Sequence, residues 1–387
     1  MLSLMDAITL RAWWAHRQGL DGSLQGQTAA AVLEKSGWAR SVAGVNPYLT
    51  LFARAGTSRE EADRAVSAVE IHELPCARGC TYVVPASDFA LALRCGRDAS
   101  DVPIKVASKL GVTDKEIDTL CAAILKALKA GPLDPDAIRD ASGSASRSLG
   151  PEGIKKGMTT TLPLGLGKLQ STGLIRRVPV NGRLDQQRYK YTLWDLPASK
   201  IDDGEVFTEL ARRFFRWIGP AKISEFQWFS GLGVKAAQTA VAPLKLADSG
   251  DGGLLFPEDF DALKSFRAPK KPQIVLLASI DSLIHHRRNH LSLLDNPDNL
   301  HANIGHIADL PSHAITDRGQ LIGLWEFDPD AGKIVWLTFD KPVKEVAAAV
   351  KETETYIRDQ VGDARSFSLD SPKSRAPRLA AIRAAAG

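Results

Sequence analysis

Apolar positions in the first 95 residues follow a helical period and then switch to a strand. Residues 6–18, with Trp13 and Trp14, and residues 28–35 carry that period. Tyr48-Leu-Thr-Leu-Phe-Ala53 continues it after Pro47. Ser58 with Glu61 three residues on predicts a capping box, each side chain satisfying a backbone N–H at a helix start. Cys80-Thr-Tyr-Val-Val84 is β-branched and aromatic, so it predicts a strand that Pro85 ends, followed by a helix over 87–94.

A second unit opens with another predicted capping box, Thr113 and Glu116. Ile117, Leu120, Cys121, Ile124, Leu125 and Leu128 then recur at helical spacing up to Gly131-Pro132. Asp134–Asp140 reads as a short helix, and 152–172 contains a third. Runs 174–180 and 188–194 read as strands, with Asn181-Gly182 predicting a type I′ turn, which needs positive φ twice. Three helices and a hairpin outline a winged helix. The outline recurs in helices over 205–217, 222–230 and 235–245, with Gly253–Phe256 as a wing strand. From 273 onward the pattern is of strands: 274–277, 313–316, 321–327 and 333–339, joined by turn signals such as Asp317-Arg-Gly319. A helix over 342–360 and a frayed basic tail after 365 close the chain.

The expected fold is therefore α+β, with tandem winged-helix (helix-turn-helix) domains followed by a C-terminal β-barrel. The expected units are 1–110, 111–200 with a basic wing, 201–270, a barrel-like module at 271–345, and 346–387 as helix and tail.

Composition adds little to this until charge is mapped. The 387 residues are 44% hydrophobic and 24% charged, which excludes a disordered or fibrous chain. The net charge is only +4, but residues 152–195 concentrate Lys155, Lys156, Lys168, Arg176, Arg177, Arg183, Arg188 and Lys190, with Tyr189, Tyr191 and Trp194 between them. A basic helix and wing suit phosphate contact, since each cation releases condensed counterions; a solvated hairpin is the bland alternative. Cys76, Cys80, Cys95 and Cys121 make no disulfide framework and no second pair for a zinc site, and read as thiols in a reducing cytosol. The first residues reach Asp6 with no basic start, unlike a signal peptide, and no apolar run approaches the ~18–20 residues of a membrane span. The expected location is cytoplasmic, with no membrane contact.

Six of the eight histidines lie between 285 and 313, and His286 and His290 would share a helical face. Arg287 and Arg288 between them would repel a cation, so no metal or other cofactor is expected, and the loop reads instead as DNA- or phosphate-facing. There is no nucleophile elbow, P-loop, dinucleotide fingerprint or zincin motif. Gly165-Leu-Gly167 reads as a turn.

Four stretches resemble the winged-helix DNA-binding family that contains the interstrand-crosslink DNA glycosylases of the AlkZ and YcaQ type. They are Tyr48–Arg54; Arg78-Gly-Cys-Thr-Tyr-Val-Val-Pro85; Gly219-Pro-Ala221 with Trp228–Leu232; and Asp281 with Arg287-Arg288 followed by Leu321–Trp325. The resemblance implies tandem winged helices in a C-shape, a β-barrel, and double-stranded DNA as partner. It also implies a glutamine-apolar-glutamine or glutamine-apolar-aspartate motif that positions the water attacking the sugar carbon. Ungapped extension back from Tyr48 puts Arg40 and Val42 on those two positions. Valine cannot orient a water, and arginine only donates and would repel a developing cation. Gln25-Gly-Gln27 has the spelling but lies too early; Asn46 is the weak substitute.

Two readings follow. In the first, a monomeric DNA-binding protein connected with DNA repair or protection keeps the scaffold without its base-excision chemistry. Its DNA-binding residues would be Arg78, Lys168, Arg176, Arg177, Arg183, Arg188, Arg287 and Arg288. In the second, a monofunctional DNA glycosylase excises alkylated or crosslinked bases with divergent residues such as Asn46, Arg40 or Gln25. A dimeric winged-helix regulator would need an effector pocket or dimerisation helix that the sequence does not display.

Overall fold

The computed structural model describes residues 6–386 except 187, 198–199, 288–289, 300–309, 342–343 and 368. Helices Ala7–Arg17 and Ala29–Ser36 begin at the N-caps Asp6 and Thr28, and helix Arg59–Ser67 has the full Ser58–Glu61 capping box. Thr81–Pro85 is the central strand of a three-stranded antiparallel sheet, flanked by Ala39–Arg40 and Ile71–Pro75. Only the central strand is legible from periodicity. Ile71–Pro75 buries His72 and Glu73 beside its apolar residues, so it shows neither a clean alternation nor an apolar run. The helix expected over 87–94 runs as Phe89–Ser108, with Pro103 inside it.

Helices Asp114–Ala127, Pro135–Ser142, Gly150–Lys155 and Leu162–Ser171 enclose a core that includes Ile117, Leu120, Ile124, Ile138 and Leu169. The hairpin Ile175–Pro179/Tyr189–Leu193 follows, and Leu133 and Tyr191 exchange backbone bonds of 3.0 and 2.7 Å beside it. The predicted Thr113 box is half made: Thr113 accepts from the Glu116 N–H, but the Glu116 carboxylate turns to Arg147 instead. The type I′ turn is absent too. Gly182 has φ +75°, but Asn181 is not among the residues of positive φ, and its side chain accepts from the Arg183 N–H. The reason is that Leu184 leaves the hairpin to bury its side chain against residues of other segments, such as Tyr48 and Val361.

Helices Val206–Ile218, Ile223–Ser230 and Val234–Val241 bring Phe214, Phe215, Trp217, Phe226 and Phe229 into one core with Trp38, Tyr82 and Phe89. The expected wing strand pairs as Leu254–Leu255 with Ala247–Asp248, and helix Pro257–Ser265 follows it.

At the C-terminal end, strands Ile274–Leu277, His313–Asp317, Gln320–Asp328 and Lys333–Thr338 form an antiparallel sheet in chain order, with a register shift between Leu321 and Gly323. Among the described residues this sheet is open, with the first and last strands at its edges, and no closed barrel is present. The tail is not frayed. Pro372–Ala385 is a helix that buries Leu379 and Ile382, and Arg378 bonds the fully buried Glu326 at 2.6 Å and Asp370 at 2.8 Å. No helix among the described residues is long and apolar enough to cross a membrane.

Candidate nucleic-acid interface

The motif segment begins on the short edge strand of the first sheet. The Arg40 guanidinium donates to the Thr81 carbonyl at 2.9 Å and lies 5.3 Å from the Tyr82 ring centre. Ser41 continues the pairing through its N–H to the Thr81 carbonyl, and its hydroxyl donates to Glu73 at 2.6 Å. Val42 is half-buried. Asn46 is 1% exposed, so little of it is left for a bound water. Its amide donates to the Arg40 carbonyl at 2.7 Å and its oxygen accepts from Thr50. Gln25 and Gln27 are exposed in the loop before Ala29–Ser36, where Gln25 lies against Gly56 rather than at the motif strand.

Arg78 sits in the turn before the central strand with φ +59°, exposed, its guanidinium 4.3 Å from the Trp228 ring centre. It also donates to the Trp228 carbonyl. A side chain at Gly231 would collide with it, so a glycine there lets the two segments close. His285 meets Trp228 edge-on at 4.7 Å. Burial, then the nearby Arg40 and Arg78, pushes the His285 imidazole down to about 3. Arg40, Arg78, Trp228 and His285 thus form one cluster.

The basic hairpin divides into engaged and open cations. Arg177 lies 3.5 Å from Glu73 and 4.6 Å from the Tyr189 ring centre, which ties the hairpin to the motif sheet. Arg183 pairs with Asp185 at 2.5 Å and donates to the Val361 carbonyl at 2.7 Å. Lys168 pairs with Asp118. Arg176 is half-buried, its guanidinium shifted down by burial, and Arg188 is exposed. Among the described residues no ion pair involves either.

The expectation of a DNA-facing loop at 285–290 is corrected for Arg287. This side chain is 2% exposed, stacked 3.5 Å over Trp14 and donating to the Ile218 carbonyl at 2.5 Å; burial brings it down to about 10. It braces three segments. Arg288 lies outside the described residues. His286 is buried among Phe214, Trp217 and Phe229, which hold it well below the usual histidine range. No group of three or more potential metal ligands occurs among the described residues. All four cysteines are free thiols, and Cys80 is half-exposed while the others are buried.

Sequence reading missed Glu73, 6% exposed, which Ser41 and Arg177 approach from two different segments. No local pattern marked it, because Ile71-His72-Glu73-Leu74 is half polar and shows no clean alternation.

These features define a mixed helix–strand protein whose basic hairpin is tied through Glu73 to the first sheet. A family model described as DNA glycosylase AlkZ-like matches residues 22–367, and the chain belongs to that family. Among solved structures, the Streptomyces sahachiroi DNA glycosylase AlkZ is similar at a TM-score of 0.69 and 18% identity, over 94% of this chain and 98% of that one. No protein with a curated description matches the sequence.

Proposed function

We propose that this protein is a DNA-binding member of the AlkZ-like family, connected with DNA repair or protection, in which the family's water-positioning pair has been replaced. It holds duplex DNA as a cytoplasmic monomer without a cofactor. Helices 114–171 with their hairpin act as a winged helix, flanked by related units at 1–110 and 201–270. The 271–345 sheet module and the 346–387 helices brace the array. Arg176, Arg188 and Arg78, which make no ion pair among the described residues, supply phosphate contacts, while Arg177 and Arg183 hold the hairpin in place and Lys168 pairs with Asp118.

The observation that carries this reading is Arg40. A donor-only guanidinium occupies one motif position, seated on Tyr82 and the Thr81 carbonyl, and Val42 occupies the other. Asn46, the remaining amide nearby, is committed to the backbone and to Thr50.

The test is base release from duplexes carrying N7-alkylated guanine or an interstrand crosslink, beside a salt-dependent binding titration. The expected result is tight, salt-sensitive binding with release no faster than the spontaneous rate. Robust release overturns the reading. It would favour the second one, an active glycosylase, for which the buried Glu73 carboxylate beside Ser41 is the specific support. Loss of that release in Glu73→Gln would then assign the water to Glu73.

A further inference from the structure

A cavity of about 760 Å³ opens between helix Ala7–Arg17, the start of helix Ile223–Ser230 and the residues Arg287, Leu291 and Ser292, outside the first sheet. Its walls include Leu10, Trp14, Trp228 and Leu291, and its polar groups include Glu225 and Arg287. That volume is the size of a small-molecule site, and apolar walls with few polar groups are how such sites hold and orient a ligand.

The polar groups narrow the ligand. One Glu225 oxygen accepts the Lys222 N–H at 2.7 Å, and the other has no hydrogen-bond partner among the described residues. Arg287 spends its terminal nitrogens on the Ile218 and Pro220 carbonyls, and its Nε has no partner among the described residues. Lys222, Arg287, Asp251 and Glu225 bring both signs of charge to the lining, so neither a phosphate nor a simple amine is favoured. Burial raises the Glu225 carboxyl against the opposing pull of Arg287 and Lys222. A neutral planar ring suits such a place, its body against the apolar walls and its edge offering an N–H to the carboxylate.

We infer that this cavity is a binding site for a lactam nucleobase, a ring N–H beside a carbonyl, with Glu225 accepting the N–H and the walls formed by Trp14 and Trp228 taking the ring. Trp228 is also the residue that Arg78 covers, so the cavity shares a wall with the Arg40–Arg78–His285 cluster. The site does not depend on duplex binding.

The experiment is isothermal titration of the full-length protein with guanosine, inosine and uridine, and with adenosine and cytidine, whose rings lack the N–H. Saturable binding of the first three is expected, with the last two at least roughly tenfold weaker, because a site built for an N–H rejects analogues without it. Glu225→Gln should lose roughly tenfold for the lactam nucleosides. Ala7→Trp, which fills the mouth from an exposed position, should block all of them with the thermal melt unchanged. No saturable binding, equal binding of guanosine and adenosine, or unchanged binding by both variants would overturn the assignment. A duplex titration on the same preparation separates the two ideas. Nucleoside binding without duplex binding leaves this site standing and removes the proposed function.

Discussion

Arg54 and Asp281, 227 positions apart in the chain, form a two-bonded ion pair at 2.8 and 2.9 Å with both side chains at most 1% exposed. Gln18 and Ser282 accept further bonds from the guanidinium, and Thr50 reaches the same carboxylate at 3.3 Å. The pair locks helix Asn46–Ala55, which follows the motif segment, to the C-terminal part of the chain.

Removing one partner of such a pair strands a buried charge. Asp281→Asn should therefore cost about 3–5 kcal/mol, read as a fall in the urea midpoint at constant slope. An unchanged midpoint would show that Arg54 has found another counter-charge.

The hairpin cations should separate into two behaviours. Replacing Arg176 and Arg188 together should weaken binding to any duplex and reduce the salt slope by about 0.9 for every phosphate that is no longer neutralised. Arg183→Ala should instead lower stability, because Asp185 and the Val361 carbonyl are deprived of their donor. If Arg183→Ala flattens the slope at unchanged stability, the docked tip touches DNA after all.

Acid sensitivity should come from buried histidines. Burial is the first cause that lowers His72 and His285 to about 3, and His286 and His313 shift the same way. A depressed histidine contributes stability that is fully present above the unfolded value near 6.5 and is lost as pH falls from there towards the folded value. At pH 5 each of His72 and His285 should cost about 2 kcal/mol relative to pH 7. His72→Phe, placed among Phe89 and Trp194, should remove one such share in urea unfolding at the two pH values. Identical pH dependence in the variant would clear His72 of the effect.

The C-terminal helix should be structural. Arg378→Ala leaves Glu326, which is 0% exposed, without its cation, and should destabilise the fold by about 3–5 kcal/mol. Wild-type thermal stability in this variant would mean that the helix merely rests on the sheet.

Local chemistry made several elements legible. The Ser58–Glu61 box formed as read, because both partners lie in one turn and nothing else competes for them. Glu116 matched the same pattern, yet Arg147 in a later segment took its carboxylate, an outcome no local pattern encodes. The Asn181-Gly182 signal failed for the same reason: Leu184 gains more by burial against Tyr48 than the hairpin gains from a tight turn. Arg287 shows the limit most clearly for the site, since a charged run in sequence does not reveal that one arginine faces inward over Trp14. The placement of the motif on Arg40 and Val42 rests on the family resemblance alone, whereas Glu73 became visible only once the sheet laid it beside Ser41.

The docked hairpin tip has a consequence for biosynthesis. The helices between Ala107 and Ile175 build a core that needs nothing later than Tyr191 of the hairpin itself. The tip does need later residues: Arg183 bonds the Val361 carbonyl, and Arg365 donates to the Asp185 carbonyl at 2.5 Å. During vectorial synthesis from the N-terminus, the hairpin emerges roughly midway and can meet Glu73 and Tyr48, which precede it, while its tip must wait unclamped until nearly the whole polypeptide has left the ribosome. The clamping of the tip is thus among the last events of maturation, and a nascent chain stalled before residue 361 would carry the hairpin with a loose tip.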